Sequence, residues 1–352
     1  MAIFGNNKFP VKDKLVLVTG ASQGLGYALS QKLYEQGASV ILIARNKTKL
    51  ASNVDHIIKS TPNASSTQFV EYISADLTIY EENIKILNYL KSKNYHPDIL
   101  FCLAGSSHPG FFMELTPDDL SQGIDINYKT ALYFIHALSK YFVQSKSQPG
   151  QQKHIVLCSS TVAFYHFTGY IQYSPMKTAI KALGDSLRQE LKPYGVKVST
   201  LFPGNFASEG YTEENLTKPA ITQSIEGASQ PITVEQCADK VLYWLNKGDH
   251  YVFTDLISWV LASFSLGFNP RNFGVLQVFV AFVGAVVARF VGLLHEHDVQ
   301  VAFDKLGGFA GEGKNKKDDV KQEKVEELLD DGQTVGTTSI DSSSKATTDV
   351  KK

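Results

Sequence analysis

Six short apolar runs, separated by segments of helical length, alternate along the chain from residue 14 to about residue 254. Each run is a nearly continuous stretch of Val, Ile, Leu and Phe, as expected of strands that are buried on both faces of a parallel sheet. Repeated strand–helix units predict an α/β fold, a Rossmann-type doubly wound parallel sheet with helices on both faces. The runs are KLVLVTG, ASVILIAR, QFVEYISAD, DILFCLAG, KHIVLCSS and KVSTLFPG.

Two further apolar runs follow the predicted sheet. Residues 275–294 form a run of 20 residues whose one charge, Arg289, lies toward its end. As a helix this run would be about 30 Å long, which matches the hydrocarbon thickness of a bilayer. It predicts a C-terminal apolar helical membrane anchor, with a buried helix or a dimer interface as the alternative. Residues 256–268 are too short to span a bilayer and are expected to be re-entrant or interfacial. We interpret HEHD (295–298) as the polar end of the anchor and predict no metal site.

Composition limits the class of protein. The formal net charge of −1 leaves no basic excess to neutralise phosphates, so we expect no nucleic-acid partner. Three cysteines cannot form a disulfide framework, and the N-terminus lacks the apolar core of a signal peptide. We therefore expect the main body to fold in a reducing compartment. The tail from about residue 310 is rich in charged and small polar residues and is predicted to be disordered.

A glycine-rich segment, TGASQGLG, follows the first predicted strand and precedes an amphipathic helical pattern. Its glycines, Gly20, Gly24 and Gly26, have the spacing G-x-x-x-G-x-G. Such a turn lets the backbone approach a pyrophosphate, which then lies at the helix N-terminus. In this context the segment predicts a dinucleotide site.

The ends of the second and third strands bear on the choice of dinucleotide. A free ribose 2′-hydroxyl usually meets an acidic residue after the second strand, but this chain has Arg45 there and Lys49 one turn later. A guanidinium suits a 2′-phosphate, so NADP(H) is predicted in preference to NAD(H). Taken alone, the two cations are equally explained as solvated charges at a helix start. Asp76 is a candidate acceptor for the adenine amino group, or simply a helix N-terminal residue.

Tyr173 and Lys177 are four residues apart, which on a helix places them on one face, one turn from each other. An ammonium beside a phenol favours the phenolate and is expected to lower the pKa of Tyr173 toward neutrality. Pro175 lies between them and is tolerated if the helix begins near Tyr173. Ser160, which closes the fifth run, is a candidate to hold a carbonyl oxygen where charge develops.

The segments TGASQGLG, ARN, DL, SS, YSPMK and PG occur in this order at the intervals of the short-chain dehydrogenase/reductase family, which residues 13–255 resemble. The resemblance implies that Tyr173 is the proton donor, that Lys177 activates it and binds the ribose, and that Ser160 orients the carbonyl. Asn127 matches an asparagine that supports a water relay to the lysine. The positions that match cofactor contacts are Gly20, Ser22, Gln23, Gly24, Gly26, Arg45, Lys49, Asp76, Leu77, Tyr173, Lys177, Pro203, Gly204 and Ser208.

The chain departs from the family pattern after the fourth strand, where Cys102-Leu103-Ala104-Gly105 replaces the usual Asn-Asn-Ala-Gly. The small Ala-Gly pair that leaves room for the cofactor is kept, and both amides are lost. The helix-capping role of those amides must then be met by other groups.

Further segments, among them ILIARNKTKL and RQELKPYGVKVSTLFPGNF, resemble members of the family that reduce a long-chain keto sphingoid base with NADPH. The resemblance implies attachment to the lipid bilayer of the endoplasmic reticulum, with the catalytic domain facing the cytosol, and we expect a homo-oligomer. The alternatives are a steroid or a 3-ketoacyl-CoA as substrate, or a non-catalytic dinucleotide-binding scaffold. The predicted organisation is a lead (1–12), a reductase domain (13–255), a membrane-associated segment (256–298) and a disordered tail (305–352).

Overall fold

The computed structural model describes residues 8–145, 152–227, 230–265, 269–270 and 272–305. One compact unit extends to Val299 and a second begins at Gln300. The described part of the second unit is the last turn of a helix, in which Gln300 donates a hydrogen bond to Asp304. Apart from Lys305, the predicted disordered tail lies outside the described residues.

Seven parallel strands form the central sheet, in the order β3-β2-β1-β4-β5-β6-β9. Each of the six predicted apolar runs contains one of them to within one residue, so the predicted doubly wound sheet is confirmed. The strands are β1 (Leu15–Thr19), β2 (Ser39–Ala44), β3 (Val70–Ser74), β4 (Ile99–Cys102), β5 (Lys153–Cys158), β6 (Val196–Phe202) and β9 (Tyr251–Phe253). A separate two-stranded parallel ladder, which the sequence did not reveal, pairs β7 (Phe206–Ala207) with β8 (Ile232–Thr233).

Helices cover both faces of the sheet. Val16 and Val18 belong to the apolar cluster on the side of α1, α2 and α9, while Leu17 belongs to the cluster on the side of α3, α5 and α6. Each fully buried aliphatic side chain contributes about 1.5–3 kcal/mol, so these two layers hold the strand ends in fixed positions. The helices are α1 (Gly24–Glu35), α2 (Lys47–Ser60), α3 (Tyr80–Ser92), α4 (Pro117–Ile124), α5 (Thr130–Gln144), α6 (Ser174–Glu190), α7 (Glu209–Thr217), α8 (Ala220–Glu226), α9 (Val234–Lys247), α10 (Leu256–Phe264) and α11 (Gly274–Lys305).

The strand order reverses between β1 and β4. The chain proceeds outward from β1 through β2 to β3, and then returns to place β4 on the other side of β1. Loops that leave the carboxyl ends of β1 and β4 therefore diverge to opposite faces and leave a crevice between them, which is where ligands bind in open α/β sheets.

The two C-terminal apolar runs differ in their environment. In α10, Asp255 caps the helix by accepting a hydrogen bond from the Ser258 amide at 2.7 Å, and Trp259 and Ala262 pack against the edge of the sheet. The helix is thus anchored on one face, while Leu256 remains 71% exposed. Residues 266–268 of the predicted interfacial run lie outside the described residues.

In contrast, α11 exposes most of its apolar surface. Phe279, Phe282 and Phe290 are 65%, 71% and 66% exposed, and Gln277 and Gly284 are the buried members of the helix. Within the described residues, α11 is the one helix that is long and apolar enough to cross a membrane. A helix buried inside this protein would not leave these phenylalanines exposed, so the buried-helix alternative is wrong, while the dimer interface stays an alternative.

Candidate active site

The carboxyl edge of the sheet collects the predicted site residues. Because all central strands are parallel, the loops that follow them open on the same edge. Gly20 follows β1, Arg45 follows β2, Asp76 follows β3, Ala104 and Gly105 follow β4, Ser160 follows β5, and Pro203 follows β6. These residues, which are far apart in sequence, therefore border one crevice.

The glycine-rich turn joins β1 to α1. Gly20 has a φ of +68°, and a Cβ there would lie 2.9 Å from the Ala104 backbone nitrogen, so only glycine lets this loop pass the one after β4. Gly24 has a φ of +56° and begins α1, which has no acidic residue in its first turn and no side-chain cap from Gln23. The uncapped N-terminus of this helix fits a pyrophosphate. Ser22 and Gly26 lie two residues before and two residues after Gly24 in the chain.

Arg45 and Lys49 lie at the start of α2, beside this turn. Lys49 Nζ donates to Gln23 Oε1 at 3.0 Å and forms an ion pair with Glu209. Asn46 caps the helix by accepting from the Lys49 amide at 3.0 Å. The exposed Arg45 guanidinium has no hydrogen-bond or ion-pair partner among the described residues. Of the two predicted cations, Arg45 is therefore the one that is free to meet a 2′-phosphate.

Asp76 and Leu77 follow β3. Asp76 Oδ1 accepts from both the amide and the hydroxyl of Thr78, at 3.0 and 2.7 Å, which closes a turn three residues before the N-cap of α3. Asp76 is thus a turn-forming residue rather than the helix cap, and the Leu77 side chain is buried. The predicted contact of Asp76 with adenine remains a prediction.

Thr19 stabilises the loop in which the chain departs from the family pattern. Its hydroxyl oxygen accepts from the amides of Leu103 at 3.0 Å and Ala104 at 3.3 Å. The last residue of β1 therefore holds the loop after β4. Sequence reasoning did not single out Thr19, because its role depends on the pairing of two strands that lie about 80 residues apart in the chain.

Tyr173 is the N-cap of α6, and Pro175 lies in its first turn, as predicted. A helix begins here because the proline lacks only an amide that would have no intrahelical partner. Lys177, one turn later, is buried, and its Nζ lies 5.3 Å from the centroid of the Tyr173 ring. The phenol and the ammonium therefore share one face of the helix, within the crevice.

A wide, π-type turn at Asp125–Lys129 joins α4 to α5 and contains the buried Asn127. The Asn127 amide donates to the carbonyls of Ser106 at 2.8 Å and Gly123 at 3.2 Å, and its oxygen accepts from the Ser106 amide at 3.1 Å. A Cβ on Gly105 would lie 3.0 Å from both Asn127 Oδ1 and Lys177 Nζ. Glycine at 105 therefore permits the two side chains to converge. Such turns are frequent at functional sites, although no sequence pattern predicted this one.

Burial sets the charge states of the pair. The pKa of Tyr173 is raised, first by burial and then by the negative charge of Glu214, while a hydrogen bond with Ser160 acts in the opposite direction. Burial also lowers the pKa of Lys177, whose Nζ donates to the Cys158 carbonyl at 3.1 Å. The expected lowering of the Tyr173 pKa is therefore wrong for this structure, and the phenol keeps its proton at neutral pH.

Ser160 and the 203–208 segment close the site from the other side. Ser160 caps a single helical turn at Thr161–Ala163, so its hydroxyl is held at the end of β5. The Gly204 amide donates to Thr254 at 3.0 Å, and Ser208 caps α7. Ser208 Cβ lies 3.6 Å from the position of a Cβ on Gly24, so this segment approaches the glycine turn.

One charged cluster beside Tyr173 was not predicted. Lys218, whose side chain is only 1% exposed, forms ion pairs with Glu214 at 2.8 Å and with Glu226 at 2.6 Å. Tyr170 donates its hydroxyl proton to Glu214, and its ring centroid lies 5.8 Å from that of Tyr173. The sequence gives no periodic signal for contacts between α7, α8 and the loop before α6.

The family model for short chain dehydrogenases matches residues 14–219. The chain belongs to this family. Three curated relatives are 3-ketodihydrosphingosine reductases. The enzyme of Debaryomyces hansenii is 44% identical over 302 residues (84% of this chain, 92% of the relative). The enzymes of Yarrowia lipolytica (37%, covering 83% and 78%) and Saccharomyces cerevisiae (35%, covering 75% and 86%) are also similar.

Solved structures share the fold at lower identity. A short-chain dehydrogenase from Sphingobium yanoikuyae in complex with NADPH has a TM-score of 0.59 at 24% identity, covering 69% of this chain and 88% of that one. The L-sorbose reductase of Gluconobacter frateurii, complexed with NADPH and L-sorbose, has a TM-score of 0.58 at 17% identity, covering 69% and 95%. These likenesses establish the architecture of the sheet and its helices.

Proposed function

We propose that this protein reduces 3-ketodihydrosphingosine to dihydrosphingosine in sphingolipid biosynthesis, with NADPH as the reductant. One observation carries the proposal: Ser160, Tyr173, Lys177 and Asn127 border one crevice in a chain whose relatives of that activity align over as much as 84% of its length. A non-catalytic scaffold has no physical need of all four side chains.

The reductase domain (13–255) provides the groups that would hold NADPH, which supplies the hydride when it is bound. The turn at Gly20, Ser22, Gln23, Gly24 and Gly26 accommodates the pyrophosphate through backbone amides. Arg45 would bind the 2′-phosphate through charge-assisted hydrogen bonds, together with Lys49 one helical turn later. The remaining contacts are assigned to Asp76, Leu77, Tyr173, Lys177, Pro203, Gly204 and Ser208.

The chain's own residues manage the proton. Tyr173 donates its phenolic proton to the oxygen of the substrate ketone, and the Ser160 hydroxyl holds that oxygen in place. The raised pKa of Tyr173 suits a donor in the reductive direction, because the phenol is protonated at neutral pH. Lys177 stabilises the phenolate that results. Asn127 positions Lys177 and a water relay that returns a proton to Tyr173.

The segment 256–298 attaches the protein to a membrane. We assign it to the membrane of the endoplasmic reticulum, with the catalytic domain in the cytosol and the protein as a homo-oligomer. The exposed apolar surface of α11 supports membrane attachment. A long-chain substrate would keep its hydrocarbon tail in the bilayer while its polar end enters the crevice.

The test is NADPH oxidation by membranes that contain this protein, with 3-ketodihydrosphingosine supplied, beside the Tyr173→Phe variant. Turnover by the first and none by the second would establish the reaction, the substrate and the role of Tyr173 together. If the protein oxidised NADPH with a steroid or a 3-ketoacyl-CoA but not with the keto sphingoid base, the substrate assignment would be wrong.

A further inference from the structure

The charged cluster beside Tyr173 has an unbalanced charge. It contains two carboxylates, Glu214 and Glu226, and one ammonium, Lys218, so its formal charge is −1. Both carboxylate side chains are only 16% exposed. Lys218 paired with Glu226 would already be neutral, and a second shielded carboxylate is costly unless it meets another cation.

The hydrogen bonds show which oxygen remains available. Glu226 uses both of its oxygens, one for Lys218 and one for Asn205, whose amide donates at 2.8 Å. Glu214 uses Oε1 for both Lys218 and Tyr170. Its other oxygen, Oε2, has no hydrogen-bond partner among the described residues. The cluster therefore offers one carboxylate oxygen to a further donor.

Glu214 is linked to the catalytic tyrosine through Tyr170. Its partner Tyr170 packs against Tyr173, and α7 follows directly after the Pro203–Ser208 segment that borders the crevice. The charge of Glu214 also reaches the Tyr173 phenol, since it is the largest influence on that pKa after burial. A cation that meets Glu214 would thus lie close to a ketone oxygen held by Tyr173.

We infer that Glu214 is a specificity-determining residue that binds the protonated amino group of the substrate. The inference rests on the proposed function, because 3-ketodihydrosphingosine carries its amino group on the carbon next to the ketone. The ammonium would supply the missing positive charge of the cluster through a charge-assisted hydrogen bond. The same carboxylate would repel the phosphates of a coenzyme A thioester and would offer nothing to a neutral steroid.

The experiment compares two substrates on the full-length protein in detergent micelles with NADPH. One is 3-ketodihydrosphingosine, and the other is the same long-chain hydroxyketone without the amino group. We measure kcat/KM for both with the wild type, with Glu214→Gln and with Glu213→Gln. Glu213 is the matched control, because it is the neighbouring carboxylate on α7 and its side chain is exposed.

The wild type is expected to have a kcat/KM for the amino ketone that is about 10- to 100-fold higher than for the deaminated ketone. This ratio corresponds to the free energy of a hydrogen bond between charged groups. Glu214→Gln should remove most of that preference, because it lowers kcat/KM for the amino ketone much more than for the deaminated ketone, while Glu213→Gln behaves as the wild type. Glu214→Asp, which keeps the charge, should restore part of the preference. Turnover of the deaminated ketone by Glu214→Gln would show that the glutamine variant is folded.

Two results would overturn the inference. If Glu214→Gln lowered kcat/KM equally for both ketones, the carboxylate would only hold α7 in place. If its preference for the amino ketone equalled that of the wild type, the ammonium would bind elsewhere. A wild type that reduced the deaminated ketone but not the amino ketone would instead overturn the proposed function, and the inference with it.

Discussion

The Lys177 ammonium lies 5.3 Å from the centroid of the Tyr173 ring, one helical turn from it, with both side chains at the start of α6. Burial nevertheless raises the pKa of Tyr173 and keeps the phenol protonated. Lys177 therefore acts when the proton leaves, by stabilising the phenolate, and not by ionising Tyr173 in advance.

Replacing Tyr173 by Phe should lower kcat by about 10²- to 10⁴-fold, because the proton donor is lost while the ring and its packing remain. NADPH binding, followed by the fluorescence of the bound nucleotide, should stay nearly intact. A variant that kept wild-type turnover would show that another group protonates the product.

Arg45→Asp should raise KM for NADPH by about 10- to 100-fold, because a charge-assisted contact with the 2′-phosphate is replaced by repulsion. KM for the keto substrate should change little. Lys47→Asp is the control, since Lys47 is exposed at the start of the same helix. Equal use of NADPH and NADH by the wild type would refute the assignment of Arg45.

Truncation distinguishes the two C-terminal helices. A chain that ends at Phe273 lacks α11 and should leave the membrane fraction while remaining folded. A chain that ends at Asp255 should also lose stability, because it removes the Ser258 hydroxyl that bonds Asp255 at 2.7 Å and the packing of Trp259 and Ala262. Sedimentation of membranes and thermal unfolding in detergent measure the two effects. Tight membrane binding by the Phe273 chain would place the anchor elsewhere.

Gly184 sets how closely α6 approaches the sheet. A Cβ at this position would lie 2.3 Å from Thr200 Oγ1 and 3.1 Å from Leu157 Cδ1. Gly184→Ala should therefore lower the free energy of unfolding by about 1–3 kcal/mol, as overpacking does. Adding Thr200→Ala should recover much of the loss, and denaturant unfolding of the four proteins in the cycle measures the coupling. Simple additivity would mean that α6 moves freely to make room.

His154 makes stability depend on pH. Its ring is buried in β5, with Nε2 2.9 Å from Ser199 Oγ, and burial, reinforced by the charge of Lys197, lowers its pKa to about 3. The unfolded chain, with a pKa of about 6.5, binds a proton first as the pH falls. The stability contribution is therefore complete above pH 6.5 and is lost as the pH falls toward 3.

Between pH 6.5 and pH 5 this one residue should cost about 2 kcal/mol. Unfolding in urea at the two pH values, for the wild type and for His154→Gln, measures the loss. The glutamine variant should show a smaller loss, since it has no imidazole to protonate. The same pH dependence in both proteins would assign the effect to other groups.

Much of this architecture could be predicted from the sequence because the interactions that define it are local or periodic. Six apolar runs predicted six central strands. YSPMK predicted where α6 begins, because a proline is tolerated in the first turn of a helix, where its missing amide would have no intrahelical partner. The order of the motifs likewise predicted that Ser160, Tyr173 and Pro203 would follow particular strands. The apolar length of 275–294 predicted the exposed surface of α11.

Other features depend on contacts between distant segments and leave no pattern in the sequence. The hydroxyl of Thr19 holds the loop after β4 only because β1 and β4 are neighbours. Asn127 and Lys177 converge beside Gly105 only because of the π-type turn at Asp125–Lys129. The sequence of this turn does not differ from that of an ordinary helix. The cluster at Glu214 arises where α7 and α8 meet the loop before α6. Periodicity and capping fix each element, whereas burial, the resulting pKa shifts and the pairing of charges are decided only when the elements pack together.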